Sequence, residues 1–146
     1  MKLLYYIRRF FEIPGMERKL FCKGLLLSGF FLLVSQIIRF KYYKHLLNFK
    51  NNEVFTKENE INQNINIIKK SLKRITAIAP WKMTCLNKAI TFKILSNGLN
   101  IHCSLSFDAI KSKNGDLIAH SFISRDNKII YLHSNQFFNV NGLLNI

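Results

Sequence analysis

The hydrophobic pattern of the first fifty residues predicts helices. Residues 3–12 mix apolar and basic side chains at helical spacing and end near Pro14, which predicts a basic amphipathic helix. A second helix is expected from about Met16 through the apolar run of residues 24–38, with a basic helical tail at residues 39–50. Residues 48–64 are rich in Asn, Lys and Glu and are expected to form a polar connection.

Two further helices are predicted before the strands begin. The first has a single apolar stripe with lysines on the solvated opposite side, formed by Ile61, Ile65, Ile68, Leu72 and Ile75. It is expected to end before Pro80, since proline cannot continue a helix. The second begins after Thr84 and has an apolar face of Leu86, Ala89, Ile90 and Ile94. Asn97 and Gly98 predict a left-handed stop at its end.

The last third of the chain predicts an antiparallel sheet. Apolar and polar side chains alternate over residues 101–108, which indicates a half-buried strand. A turn is expected at Asn114-Gly115, a second strand at 117–124, a tight two-residue turn at Asp126-Asn127 and a third strand at 129–133. Helices followed by a small antiparallel sheet predict the α+β class.

The apolar run of residues 24–38 leaves three alternatives open. Its 15 residues fall short of the roughly 20 that span a bilayer, and basic residues on both flanks give no orientation. A signal peptide fits poorly, because the leading segment contains Glu12 and Glu17 and lacks a small-residue cleavage site. The alternatives are a buried or partner-facing helix, a helix lying at a membrane surface, or a membrane span.

The charge of the chain favours an acidic partner or an anionic membrane surface. Lys and Arg number 22 against 8 Asp and Glu, a formal net charge of +14. Residues 1–50, the most hydrophobic part, hold ten basic and two acidic residues. This combination favours a membrane surface over nucleic acid, for which the chain has no recognisable binding motif.

Three cysteines without a C-x-x-C pair argue against a disulfide framework or zinc site and favour a reducing cytoplasm. Cys22 and Cys103 are expected to be small buried core residues. The chain has no glycine-rich phosphate loop, no metal-ligand cluster and no paired carboxylates, so neither cofactor nor metal is expected.

Cys85 and His120 are the strongest candidates for catalytic residues in this sequence. Thr84 is a plausible N-cap, which would place Cys85 in the first helical turn, where the helix dipole stabilises a nucleophilic thiolate. A backbone N–H there could also donate a hydrogen bond to the oxyanion of a tetrahedral intermediate. The alternatives are a buried cysteine at the core end of a helix and a half-solvated histidine near a sheet edge.

His133 and Trp81 are two further candidates, the first because of strand geometry and the second because of its large side chain. With a two-residue turn, strand pairing would place Phe122 opposite Tyr131 and His120 opposite His133, so that His133 could orient His120. Trp81 would either line a pocket or pack between helix and sheet, and packing is the favoured interpretation.

Together these elements resemble one family. The run P-W-x-x-T-C-L-x-x-A at residues 80–89, a helix closing at Gly98, an alternating strand and Ala119-His120 opening a hairpin are similar to the stand-alone leader peptidase of lasso peptide biosynthesis. That family resembles the C-terminal domain of the microcin-processing B protein. The motifs cover residues 65–133, and the basic, leucine-rich N-terminal helices match the family's usual layout.

The resemblance implies a transglutaminase-like, papain-related core in residues 51–146, with a Cys-bearing helix packed on a small antiparallel sheet behind a basic, hydrophobic segment at residues 1–50. Cys85 would be the nucleophile and His120 the general base that remove the leader from a ribosomally made precursor peptide. Trp81 would contact substrate. The implied partners are the precursor leader, a small leader-recognition protein and a lasso cyclase.

The chain departs from the family at two places. Ser121-Phe122 replaces the usual Ala-Trp, and Leu132 stands where the family has its third catalytic residue, an acid. The polar candidates nearby are His133, Ser134 and Asn135. A non-catalytic peptide-binding or membrane-docking module of the same fold is therefore the alternative.

Overall fold

The computed structural model describes residues 10–39, 42, 57–111 and 117–132, with the backbone alone at 108–111, 117–120 and 132. Its helices are α1 (Gly15–Ile37), α2 (Glu58–Ile78) and α3 (Cys85–Asn97). Its strands are β1 (Ser104–Lys111), β2 (Leu117–Arg125) and β3 (Lys128–Leu132), antiparallel in the order β1-β2-β3. The described chain is α+β, as the sequence pattern predicts.

Helix α1 packs against both other helices through one side, the inner stripe of Glu17, Leu20, Phe21, Gly24 and Ser28. A Cβ atom at Gly24 would lie 2.7 Å from Ile75 Cδ1 of α2 and 3.3 Å from Leu95 Cδ1 of α3. The absent side chain therefore lets three helices meet closely. The buried carboxylate of Glu17 is paired with Arg74 of α2, which compensates its removal from water.

The structure confirms the apolar stripe predicted for α2. All five of its predicted apolar residues are buried, and Ile68 and Ile75 are fully so. The helix begins at Glu58, inside the stretch expected to be a polar connection, and ends two residues before Pro80. Glu58 favours this early start because acidic side chains stabilise a helix N-terminus, and it also binds Arg125 of β2 at 3.0 Å.

Helix α3 is the central helix. Its predicted apolar face packs as expected, with Leu86 and Ile94 against the buried Ile90, but burial extends beyond that face. Buried residues lie all round it, including the polar Thr91, Lys93 and Ser96. α1 and α2 cover part of the helix and the sheet covers another part. Two of these polar side chains are satisfied locally, since Thr91 Oγ1 donates to Asn87 O at 2.8 Å and Lys93 Nζ donates to Cys103 O at 2.9 Å.

The end of α3 is left-handed at a different residue from the one expected. Gly98 is right-handed, with φ −64°, whereas Asn100 is left-handed, with φ 56°. The Ile101 N–H donates to Ser96 O at 2.9 Å and the Asn100 N–H donates to Asn97 O at 3.0 Å, which is the bonding of a Schellman motif. Asparagine tolerates this conformation, so the chain turns two residues after the predicted glycine.

The hairpin turn is confirmed. Asp126 and Asn127 both have positive φ, 50° and 60°, as a two-residue type I′ turn requires. Arg125 pairs with Lys128 across the turn.

Beyond the turn the predicted register of β2 and β3 is wrong. Ser124 pairs with Ile129, but Ile123 pairs with Tyr131 and Phe122 with Leu132. The shift leaves Ile130 as an extra residue in β3, a β-bulge. The expected pair of Phe122 with Tyr131 is therefore not formed.

Helix α1 is also longer than the apolar run that predicted it. Its 23 residues make it long and apolar enough to cross a membrane by length and composition, a test that core helices and signal sequences also pass. Only 22% of its most apolar window is buried in the protein.

We expect Gly24→Leu to destabilise the fold by about 1–3 kcal/mol, the usual cost of forcing extra carbons into a packed core. The added side chain would collide with Ile75 and Leu95. Urea unfolding measures the change, and Gly15→Ala is the control because its Cβ would meet nothing within 4 Å. Equal unfolding midpoints for the two variants would contradict the close packing at Gly24.

Candidate functional site

The predicted nucleophile is the first residue of α3. Thr84 caps the helix, since its Oγ1 accepts from the Asn87 N–H at 3.2 Å and its carbonyl accepts from the Lys88 N–H at 3.1 Å. Thr84 itself is extended, with φ −75° and ψ 163°. Cys85 is therefore in the first turn, as the sequence predicts, and its side chain is half-buried. A thiol there experiences the positive end of the helix dipole.

A buried amide holds this first turn in place. Asn87 Nδ2 donates to the carbonyl oxygen of Ser28 in α1 at 2.8 Å, and both residues are buried. A buried amide bonded to another helix fixes position and rotation, because its loss would leave a polar group unpaired. Sequence reasoning missed Asn87, since nothing in the local pattern distinguishes it from a solvated helix residue.

Lys88 is a second residue that sequence reasoning missed. It lies three positions after Cys85 and only 2% of it is exposed. Burial lowers the pKa of the Lys88 ammonium, and the nearby Cys85 sulfur acts in the opposite direction. The two groups are therefore close enough for their charges to interact. An ammonium at this position would attract negative charge that develops on the sulfur.

The loop that leads into α3 is fixed by packing. A Cβ at Gly29 of α1 would lie 3.1 Å from the Trp81 ring, so the indole packs directly on that glycine. Its Nε1 is buried without a hydrogen-bond partner among the described residues. Met83 is buried, and the Thr76 hydroxyl lies 3.7 Å from its sulfur. Trp81 therefore packs within the protein, as favoured, but the contact shown is with helix α1 and not one between helix and sheet. Its contact with substrate stays a prediction.

The sheet packs on α3 through its central strand. Phe92 of α3 stacks on Tyr131 of β3 with ring centroids 4.9 Å apart, and Tyr131 pairs with Ile123 of β2. Burial raises the pKa of Tyr131 to about 12, so its hydroxyl stays protonated near neutral pH. Ser121 and Ile123 are the buried positions described on β2.

His120 lies in β2, and its backbone pairs with Asp108 of β1. Its side chain lies outside the described residues. The structure thus brings together α3, which carries Cys85, and the strand that contains residue 120.

His133 lies outside the described residues altogether. The expectation that it stands opposite His120 rested on an uninterrupted register, and the bulge at Ile130 removes that basis. Leu132, which occupies the place of the family's acid, is paired with Phe122 at the end of β3.

The other two cysteines differ from each other. Cys103 is buried, as predicted, and burial raises the pKa of its thiol, against smaller opposing effects of Ser96, Lys93 and Arg125. Cys22 is exposed on α1, so its prediction as a buried core residue is wrong. It occupies the side of α1 that no other described helix covers.

A cavity of about 470 Å³ lies elsewhere, between the start of α1 and the end of α2. Phe10, Pro14, Phe21 and Arg74 are among its lining residues, and Cys85 is not. Within the described parts of the chain, no three His, Cys, Asp or Glu side chains are grouped so as to hold a metal ion.

We expect Lys88→Met to slow alkylation of Cys85 by iodoacetamide at neutral pH by about 5-fold, which corresponds to a loss of about 1 kcal/mol of charge attraction. Peptide mass mapping would separate Cys85 from the exposed Cys22. Lys82→Met is the matched control, because that lysine is exposed on the preceding loop. Equal slowing in both variants would show that Lys88 has no specific effect.

Comparison of the chain with family models, with curated proteins and with solved structures found no match to any of them. The site is therefore interpreted from its own geometry and from the motif at residues 80–89.

Proposed function

We propose that the chain is a transglutaminase-like cysteine peptidase that removes the leader from a ribosomally made precursor of a lasso peptide. The observation that carries the proposal is a cysteine at the first position of a capped helix, packed against the strand that contains His120. A small recognition protein would present the leader and a cyclase would close the ring. Three cysteines without a disulfide among the described residues suit a reducing cytoplasm.

In this mechanism the Cys85 thiolate attacks the carbonyl carbon of the scissile amide and forms a tetrahedral oxyanion. Collapse of that intermediate yields a thioester and expels the amine, which takes its proton from the His120 imidazolium. His120 then removes a proton from water, whose oxygen attacks the thioester and releases the acid and the thiol. Lys88 lies close enough to interact with negative charge on the attacking sulfur.

The spacing along α3 and β2 supports the pairing of the two residues. Lys93 and Ser96, late in α3, lie beside Cys103, which is also close to Arg125 at the end of β2. The helix and the strand therefore run in the same general direction.

Phe92 of α3 stacks on Tyr131, which pairs with Ile123 of β2. Phe92 and Ile123 therefore lie at the same height along the helix and the strand. Cys85 precedes Phe92 by seven residues, about 10 Å along a helix. Residue 120 precedes Ile123 by three residues, about 10 Å along a strand. The two distances match, which supports placing Cys85 and residue 120 at one level.

The proposal requires residue 120 to lie on the same face of β2 as the residues that pack toward α3. Ser121 and Ile123 form the face that packs toward α3, and a regular strand alternates its faces at every residue. A catalytic pair therefore requires a departure from regular alternation ahead of Ser121, of the kind that the bulge at Ile130 creates in β3.

The regular pairing of β2 and the missing acid favour a second candidate function, a non-catalytic peptide-binding module. The pairing of β1 with β2 runs from Ser104 to Lys111 without a register shift, and Leu132 replaces the family's acid. A non-catalytic module that binds the leader without cutting it fits both features.

Cys85→Ala is expected to abolish leader removal while leaving precursor binding intact, because the variant removes only the nucleophilic sulfur. Mass spectrometry of a synthetic lasso-type precursor peptide that carries a leader measures cleavage, and fluorescence anisotropy of the same labelled peptide measures binding. Cys22→Ala is the control, since that thiol lies exposed on α1. Undiminished cleavage by Cys85→Ala would exclude the peptidase, and binding without cleavage by the wild-type chain would establish the module.

His120→Ala is expected to lower the cleavage rate by roughly 10²–10⁴-fold, the usual contribution of a general base. It should also slow alkylation of Cys85 by iodoacetamide at neutral pH, because the imidazole would no longer share the thiol proton. His102→Ala is the matched control, as this histidine is exposed before β1. If both histidine variants retain the wild-type alkylation rate, His120 does not act on Cys85.

A further inference from the structure

Helix α1 carries an exposed stripe opposite to the side that packs on the protein. We call it the outer stripe, and all its members are exposed. Its four apolar side chains are 58–83% exposed, which is far more than a core position allows. The stripe follows spacings of four and three residues along the helix and consists of Lys19, Lys23, Leu26, Phe30, Leu33 and Ile37.

Helical geometry separates the outer stripe from the inner stripe. At 3.6 residues per turn the average directions of the two sets differ by roughly 150°. Gly24 and Ser28 of the inner stripe face α2 and α3, so no described helix covers Leu26 or Phe30.

The charges on α1 are of one sign at this surface. Lys19 and Lys23 are exposed at the start of the outer stripe, and Arg18 lies over the Phe10 and Phe11 rings. The helix's acidic residue, Glu17, is buried and paired with Arg74. The outer stripe is thus basic at one end and apolar at the other, with no acidic side chain.

We propose that the outer stripe docks the protein on an anionic lipid bilayer, with α1 lying in the plane of the interface. Leu26, Phe30, Leu33 and Ile37 enter the boundary between headgroups and acyl chains, while the exposed Lys19 binds lipid phosphates. The Lys23 ammonium lies against Gly98 at the end of α3. Aromatic and aliphatic residues on one side of a basic helix are the features of interfacial helices.

The packing of α1 argues for this orientation over a membrane span. The inner stripe is attached to α2 and α3, through the Glu17–Arg74 pair and the contact at Gly24. A span would draw those helices into the hydrocarbon, including the exposed Lys70 and Lys73 of α2. Charged groups are strongly disfavoured there.

Charge also favours a bilayer over a second copy of the chain. Each molecule carries a formal net charge of +14, so two copies that meet through basic helices repel each other. An anionic bilayer attracts the same surface. The proposal does not rest on the peptidase function, because no member of the outer stripe belongs to the candidate site.

Flotation of the full chain with vesicles tests the proposal. We expect binding to vesicles of equal parts phosphatidylglycerol and phosphatidylcholine, and weaker binding to phosphatidylcholine alone. Phe30→Gln with Leu33→Gln should reduce the bound fraction at least tenfold, since each substitution removes an apolar side chain that the bilayer would bury. Ile78→Gln is the control, because Ile78 is exposed to a similar degree, 55%, at the end of α2.

Circular dichroism should show that the variants remain folded, because the substituted side chains make no core contacts. Lys19→Gln should weaken binding to the anionic vesicles and leave the weaker binding to phosphatidylcholine unchanged. This result would assign the charge dependence to the outer stripe.

Depth measurement separates an in-plane helix from a span. Residues 26 and 37 lie about 16 Å apart along the helix axis. In a chain with Cys22→Ser and Cys85→Ser, fluorophores at Leu26→Cys and Ile37→Cys should be quenched equally by shallow lipid-borne quenchers. A difference in depth close to the full separation would overturn the in-plane orientation.

Two further outcomes would overturn the docking proposal. One is wild-type protein that does not float with either vesicle. The other is sedimentation showing a dimer that Phe30→Gln with Leu33→Gln dissociates, without vesicle binding, which would make the outer stripe an interface between copies. Both readouts are independent of cleavage, so a failure here leaves the peptidase proposal standing.

Discussion

The enclosure of α3 is the constraint on which the rest of the structure depends. Its residues are buried on most sides, between α1, α2 and the sheet. Such a position requires close helix contacts, and the glycine at position 24 permits them because its missing side chain leaves room for Ile75 and Leu95. Burial also favours hydrogen-bond partners for the polar side chains of α3, which Thr91 and Lys93 have.

The candidate site lies where that enclosure ends. Cys85 begins the helix and is half-buried, so its sulfur combines a rigid backbone with access from outside. The Thr84 cap holds the first turn locally, while the Asn87 amide and the packed Trp81 attach it to Ser28 and Gly29 of α1. A reactive group gains from such support because catalysis needs it held close to one geometry. Lys88 adds a charge at the same place.

The same packing explains why α1 has two unlike sides. Its small inner residues fit against two helices, and that fit leaves the larger Leu26, Phe30, Leu33 and Ile37 uncovered on the other side. Helix α1 is long and apolar enough to cross a membrane, and it also packs against the protein through one side. Burial on one side and basic charge on the other are the two observations from which the membrane-surface proposal is argued.

Local patterns in the sequence determined a large part of this structure. The stripe of α2, the Thr84 cap and the Asp126-Asn127 turn all depend on residues close together in the chain, so spacing and side-chain type predict them. The same reasoning placed Cys85 in the first turn of its helix. The class of the fold followed from the order of these elements.

Tertiary structure decided what depends on distant residues. Burial of α3 on most sides, the Asn87 contact and the Lys88 environment arise from helices folded around it, which no local spacing records. The bulge at Ile130 changed the register because backbone pairing, not alternation, sets which residues oppose. Cys22 is exposed for the same reason: helical spacing shows which residues share a side, and only packing selects the side that is covered.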